Sequence, residues 1–121
     1  MVEDTKEVTI DLTEEDDDMN PIQLISFQII SAVGTARSNY IAAIDEASEG
    51  NFEEAERLVQ EGKDIFNEGH VAHAELLTKM ANGELEYTDL LLTHAEDQLM
   101  SAEGFGILAE KFIKLYKKMN G

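Results

Sequence analysis

From Asn20 onward, apolar residues recur at intervals of three and four. Ile22, Ile25, Ile29, Val33, Ala36, Tyr40, Ala43 and Ala47 form one seam, and Phe27, Ile30, Gly34, Ile41 and Ile44 form a second beside it. That period belongs to an amphipathic helix, and two seams imply contact with more than one neighbour. Asn20-Pro21-Ile22-Gln23 supplies the start: asparagine at the N-cap, proline at the first helical position, and glutamine three residues on to close a capping box. Gly50 offers a left-handed exit, and Asn51 followed by Glu54 repeats the cap signal for a second helix. This helix carries Ala55, Leu58, Gly62, Ile65, Phe66, Gly69, Leu76, Leu77 and Met80 on its stripe and stops at Asn82-Gly83. Thr88 or a close neighbour caps a third, with the stripe Leu91, Ala95, Leu99, Ala102, Ala109 and Ile113. Three helices of about 30 residues joined by short links predict an all-α, antiparallel up-down-up three-helix bundle. No stretch reads as a sheet.

A further stripe on the third helix changes character along its length. At 100° per residue, His94, Asp97, Gln98 and Ser101 fall within about 100° of one another. The same face continues as Phe105, Leu108, Phe112 and Leu115. A merely solvated face would not turn apolar. It lies roughly 100° from the core stripe, so one monomer cannot easily bury both, and self-association is the natural cover. The plainer alternative is a soluble bundle whose third helix is apolar on two sides, with His94 a rim histidine.

Charge and composition narrow the partners. The chain has 121 residues, 26 acidic against 9 basic, for a formal net charge of −17. Residues 1–19 hold nine acids against Lys6 alone, which predicts a disordered acidic tail before a domain at 20–121. Val8, Ile10 and Leu12 alternate like a strand, but three apolar side chains cannot offset the entropy of ordering that segment. A surface this negative repels nucleic acid and anionic lipid, and basic protein surfaces suit it better. The absence of cysteine removes disulfides, thiolate metal sites and cysteine nucleophiles. There is no apolar run of about 18 residues and no signal-peptide pattern, so the expectation is a cytoplasmic protein without membrane insertion. Lys111, Lys114, Lys117 and Lys118 crowd the last turns of the third helix, where positive charge suits the helix dipole.

The chemistry open to this chain is limited. The Glu-x-x-His pairs of metal-binding bundles are missing, since Asn67, His70 and Leu91 stand three residues before His70, His73 and His94. Phosphate-cradling glycine loops, the His-Glu-x-x-His helix and the Gly-x-Ser-x-Gly elbow are also missing. Histidine is the strong nucleophile that remains. A neutral imidazole is competent near pH 7 and can carry a phosphoryl group, given hydrogen-bond donors for the phosphoryl oxygens and no close base to activate water. Gln98 and Ser101 can supply donors. Asp97 is awkward there, because its carboxylate repels a phosphoryl group unless a cation or a symmetry axis neutralises it. Pairing the second and third helices about their link puts His73 near the level of Gln98 and His70 near Ser101. His73 falls on the core stripe, as a hydrogen-bonded structural histidine or as part of the site.

Thr93-His94-Ala95-Glu96-Asp97-Gln98-Leu99-Met100 resembles the His-Ala-Gln-Asp-His-Leu-Met signature of enzyme IIA components of the lactose/cellobiose family of the sugar phosphotransferase system. The resemblance runs from Asn20 to Lys118 and includes Gly34-Thr35-Ala36-Arg37-Ser38, Gly50-Asn51-Phe52 and Asn67-Glu68-Gly69-His70. It implies a homotrimer in which His94 accepts a phosphoryl group from the phosphocarrier HPr, as a phosphohistidine intermediate, and passes it to the IIB component. It also implies that Asp97 meets its two symmetry copies around one Mg2+ on the trimer axis. Gln98 and Ser101 would then support the phosphoryl group. Glu96 stands where the family usually has glutamine, Gln98 where it usually has a second histidine, and His73, where relatives often have glutamine, is a candidate compensating support. The opening Asn20-Pro21-Ile22-Gln23-Leu24-Ile25-Ser26-Phe27 is more similar to cellobiose and lichenan branches than to lactose ones, so uptake of a cellobiose-like β-linked disaccharide is expected. The competing reading is a regulatory or adaptor bundle that keeps the trimer and has lost phosphotransfer.

Overall fold

The computed structural model describes residues 20–85 and 89–120, so the acidic tail and Thr88 lie outside the described residues. Three helices follow one another: α1 over Pro21–Ser48, α2 over Phe52–Ala81 and α3 over Leu90–Asn120. Among the described residues there is no strand, and no helix is long and apolar enough to cross a membrane.

The starts of the helices use different devices. At α1 the capping box forms as its sequence dictates: Asn20 Oδ1 accepts from the Gln23 amide at 2.9 Å, and Gln23 Oε1 accepts from the Asn20 amide at 3.3 Å. Asn51 occupies the N-cap of α2, but its side chain makes no cap bond. It turns back instead and donates to Glu46 Oε1 at 2.8 Å. A charge-assisted bond to a carboxylate outcompetes a neutral bond to a backbone amide, and Glu53 and Glu54 in the first turn already suit the helix dipole. For α3 the cap is Asp89, whose Oδ1 accepts from the Leu92 amide at 2.8 Å. Gly50 leaves α1 at φ +84°, in the left-handed region that side chains rarely adopt.

The buried seam of α1 is the first seam of the sequence with one change: Ser26 is buried and Ile25 is half-buried. The hydroxyl of Ser26 donates to Ile22 O at 2.8 Å, which makes a polar group tolerable there. On α2 the core side is Ala55, Val59, Gly62, Gly69, Ala72 and Leu76, while Leu77 and Met80 are exposed. The expected stripe was therefore rotated too far at its end. On α3 Leu92 and Gly106 join the core, and Leu91 is only half-buried.

The core has two parts. One gathers Ile29, Val33, Leu76, Leu92 and Leu99. The other is built from alanines around Tyr40, with Val59 and Ile113 closing it. Glycines make room for the Tyr40 ring on both neighbours. A Cβ on Gly62 of α2 would stand 2.7 Å from Tyr40 Cε1, and one on Gly106 of α3 would stand 2.9 Å from Tyr40 Cζ. The ring therefore lies between two helix backbones. Burial, with the charge of Glu110, pushes the Tyr40 phenol above its ordinary value.

Exposed ion pairs follow the seam between α2 and α3 in opposite sequence order: Lys63 with Glu110 at 3.0 Å, and Glu56 with Lys117. Within α2, Arg57 bonds Glu54 at 2.7 Å and Glu61 at 3.3 Å, and its bond to Glu54 holds that carboxyl below the usual range. Such exposed pairs add little stability singly and act mainly on solubility and register.

Candidate functional site

The first half of α3 presents its polar residues at helical spacing. His94 and Asp97 are exposed, whereas Gln98 and Ser101 are half-buried against α1. Their common face follows from their spacing of three, four and seven residues, and Asp89 fixes where that half begins.

Arg37 of α1 reaches this face. Its Nη1 donates to Gln98 Oε1 at 2.8 Å and to Ser101 Oγ at 3.5 Å. No ion pair to Arg37 is formed among the described residues. Sequence reasoning did not single it out as a site residue. A signal was present: Arg37 falls midway on the line from Ile30 to Ile44, seven residues from each, where the seam is otherwise apolar. A lone cation on an apolar seam needs a polar partner across the interface.

His73 lies elsewhere. Its Nε2 bonds Glu96 Oε2 at 2.9 Å, so His73 meets α3 two residues earlier than the expected level of Gln98. Its side chain is half-buried, on the edge of the core rather than in it. His70 is exposed and stacks on Phe66 with ring centroids 6.4 Å apart. The structure thus brings Gln98 and Ser101 together through Arg37, and sets His73 with Glu96 on the opposite flank of α3.

Among the described residues no group of three His, Cys, Asp or Glu is placed to hold a metal ion within one chain. Asp97 is exposed and, among the described residues, its carboxylate makes no hydrogen bond or ion pair, which leaves it an open hard oxygen donor.

Beyond Ser101 the face becomes apolar: Phe105 is half-buried against the core, and the residues after it stay open in the single chain. Leu108 is 52%, Phe112 36% and Leu115 49% exposed. Residues of this size left open together mark a surface for association.

Comparison with known proteins gives the same picture along nearly the whole described chain. The family described as PTS system, lactose/cellobiose specific IIA subunit, matches residues 24–117. The lactose-specific EIIA component of Staphylococcus epidermidis is 34% identical over 97 residues, which cover 80% of this chain and 93% of that protein. The crystal structure of the cellobiose-specific enzyme IIA from Bacillus anthracis superposes with a TM-score of 0.81 at 38% identity, over 84% of this chain and 94% of that one. The IIA(chitobiose) of Escherichia coli, solved in complex with HPr, superposes with a TM-score of 0.74 at 25% identity, over 85% of this chain and all of that one.

Proposed function

The chain belongs to the lactose/cellobiose-specific IIA family of the sugar phosphotransferase system, and from that premise we propose that it is a phosphocarrier acting through His94. One observation carries this reading: His94 is the histidine that stands exposed on the face where Gln98 and Ser101 are held. In the transfer, a ring nitrogen of His94 uses its lone pair to form a P–N bond. The bond from phosphorus to the donor breaks, and its electron pair leaves with the donor. The reaction asks the protein for positioning and for charge stabilisation more than for covalent chemistry. The amide of Gln98 and the hydroxyl of Ser101 supply hydrogen bonds to the phosphoryl oxygens. His73, bonded to Glu96, acts in this reading by fixing α2 against α3.

HPr is the proposed donor, supported by the HPr complex of the Escherichia coli relative, and a IIB component is the proposed acceptor. The protomer is an antiparallel up-down-up bundle that closes a homotrimer over the Phe105, Leu108, Phe112, Leu115 face, and it works in the cytoplasm. Asp97 and its two copies would hold one Mg2+ on the axis, where the ion offsets the repulsion of three carboxylates. The sugar served is a β-linked disaccharide, cellobiose-like rather than lactose. Supporting this choice is the likeness to a cellobiose-specific enzyme, at 38% identity.

The test is to incubate the protein with phosphorylated HPr and map the adduct by mass spectrometry. An acid-labile, base-stable label on His94, absent from His94→Gln, is expected. Label on His70 or His73, or undiminished label in His94→Gln, overturns the assignment. A protein that takes no label is the adaptor bundle instead.

A further inference from the structure

A guanidinium has donors only, while a primary amide and a hydroxyl can each either donate or accept. Arg37 therefore settles the sense of the two groups it touches. With Gln98 Oε1 accepting from Arg37 Nη1 at 2.8 Å, the free end of that amide is its NH2 group. With Ser101 Oγ accepting from the same nitrogen at 3.5 Å, the hydroxyl hydrogen is left to point elsewhere. Both groups are thereby fixed as donors on the face that carries His94, one turn before Gln98.

The charge of Arg37 has few competitors there. It is the sole basic residue of α1, and α3 has none before Lys111. Lys63 and Lys117 are engaged with carboxylates across the seam between α2 and α3, and Arg57 with carboxylates of its own helix. Arg37 makes no ion pair among the described residues, although the chain carries 26 acids. An unpaired, half-buried guanidinium is worth keeping where negative charge is to arrive, and a phosphoryl group brings it.

Resting on the phosphocarrier reading, we infer that Arg37 is a positioning residue for phosphoryl transfer: it holds Gln98 and Ser101 in the sense that turns their donors to the group on His94. The inference explains how a glutamine can serve at this position. An amide offers an acceptor to Arg37 and a donor to the phosphoryl group at once, without needing a proton of its own to change.

The test uses the full chain and phosphorylated HPr, reading by 31P NMR how the phosphoryl group divides between HPr and His94 at equilibrium, with the melting temperature measured beside it. Arg37→Met should shift the division toward HPr by about tenfold or more, the ordinary worth of hydrogen bonds to a charged group. Arg37→Lys should recover part of this, since an ammonium donates but lacks the planar fork. Gln98→Glu is the sharper variant. It binds Arg37 more strongly yet offers no donor, so the same shift should appear with a melting temperature at or above that of the unmodified protein. If Arg37→Met does not fold, Gln98→Glu decides alone. Either variant, folded and dividing the phosphoryl group as the unmodified protein does, overturns the inference while leaving the phosphocarrier reading intact. An unmodified protein that takes no label on His94 overturns that reading, and the inference with it.

Discussion

His73 of α2 and Glu96 of α3 bond to each other at 2.9 Å across the seam between the two helices. Residues 23 positions apart in the sequence are thus one contact in space. His73→Gln alone leaves an amide facing a carboxylate, and Glu96→Gln alone leaves an imidazole facing an amide. The double variant pairs two amides. We expect it to be less destabilised than the sum of the singles, with a coupling of about 0.5–1 kcal/mol for a partly exposed pair. Denaturant unfolding of the four proteins measures this. Strict additivity would show that the two residues do not sense each other.

Gly106 and Gly104 should answer oppositely to the same substitution. Gly106→Ala sets a methyl group against the Tyr40 ring, with Cζ 2.9 Å and Cε2 3.0 Å away. The cost should be about 1–3 kcal/mol, typical of overpacking a tight site, seen as a drop of several degrees in melting temperature. Gly104 meets nothing within 4 Å. Gly104→Ala should stabilise by up to about 1 kcal/mol, the helix propensity difference. Equal effects at both positions would mean that the ring is not held as described.

Tyr40 gives an alkaline signature. Its folded phenol titrates above the ordinary value near 10, through burial and Glu110. The folded state therefore keeps a proton that the unfolded chain gives up. The stability gained from a neutral Tyr40 is complete below the unfolded value and is lost as pH rises through the folded one. Tyrosinate absorbance in the unmodified protein minus that in Tyr40→Phe should titrate with a midpoint above the ordinary value, and the variant should lose stability less steeply through that range. A difference titration centred at or below 10 would contradict the burial.

Assembly is checked through Leu108. Native mass spectrometry of the unmodified protein should show a trimer at micromolar concentration. Leu108→Asp, placing an unpaired charge in the seam, should shift the population to monomer. Asp97→Leu should leave the trimer intact or firmer, since it removes mutual repulsion at the axis, and should abolish any dependence on Mg2+. A trimer indifferent to Leu108→Asp would place the interface on another face.

Much of the architecture was legible because it rests on local rules. The capping box at Asn20 and the exit at Gly50 depend on neighbours in sequence, and the core seam of α1 on a period that a long helix enforces. Asn51 shows where local rules stop: it holds the N-cap position, but a carboxylate five residues back took its side chain in place of the cap bond. The face shared by His94, Gln98 and Ser101 was legible for the same periodic reason. Arg37 was not, because its role depends on how α1 is rotated against α3, a tertiary fact that one seam does not encode. His73 was displaced by two residues on α3, since the level at which two helices pair depends on the path of the link between them.

The seating of Tyr40 makes the reach of Arg37 a matter of gearing. Tyr40 follows Arg37 by one turn of α1, and its ring fits only where both neighbours lack a side chain, at Gly62 and Gly106. Sliding α1 by one turn, about 5.4 Å, would bring the ring against Leu58 or Phe66 on α2 and against Ala102 or Glu110 on α3. No intermediate stop exists, so the axial setting of α1 is discrete. A ring that touches neither His94 nor Gln98 thereby calibrates the distance across which the guanidinium works. Enlarging either glycine should detune the chemistry at His94 from several turns away, even in variants whose fold survives.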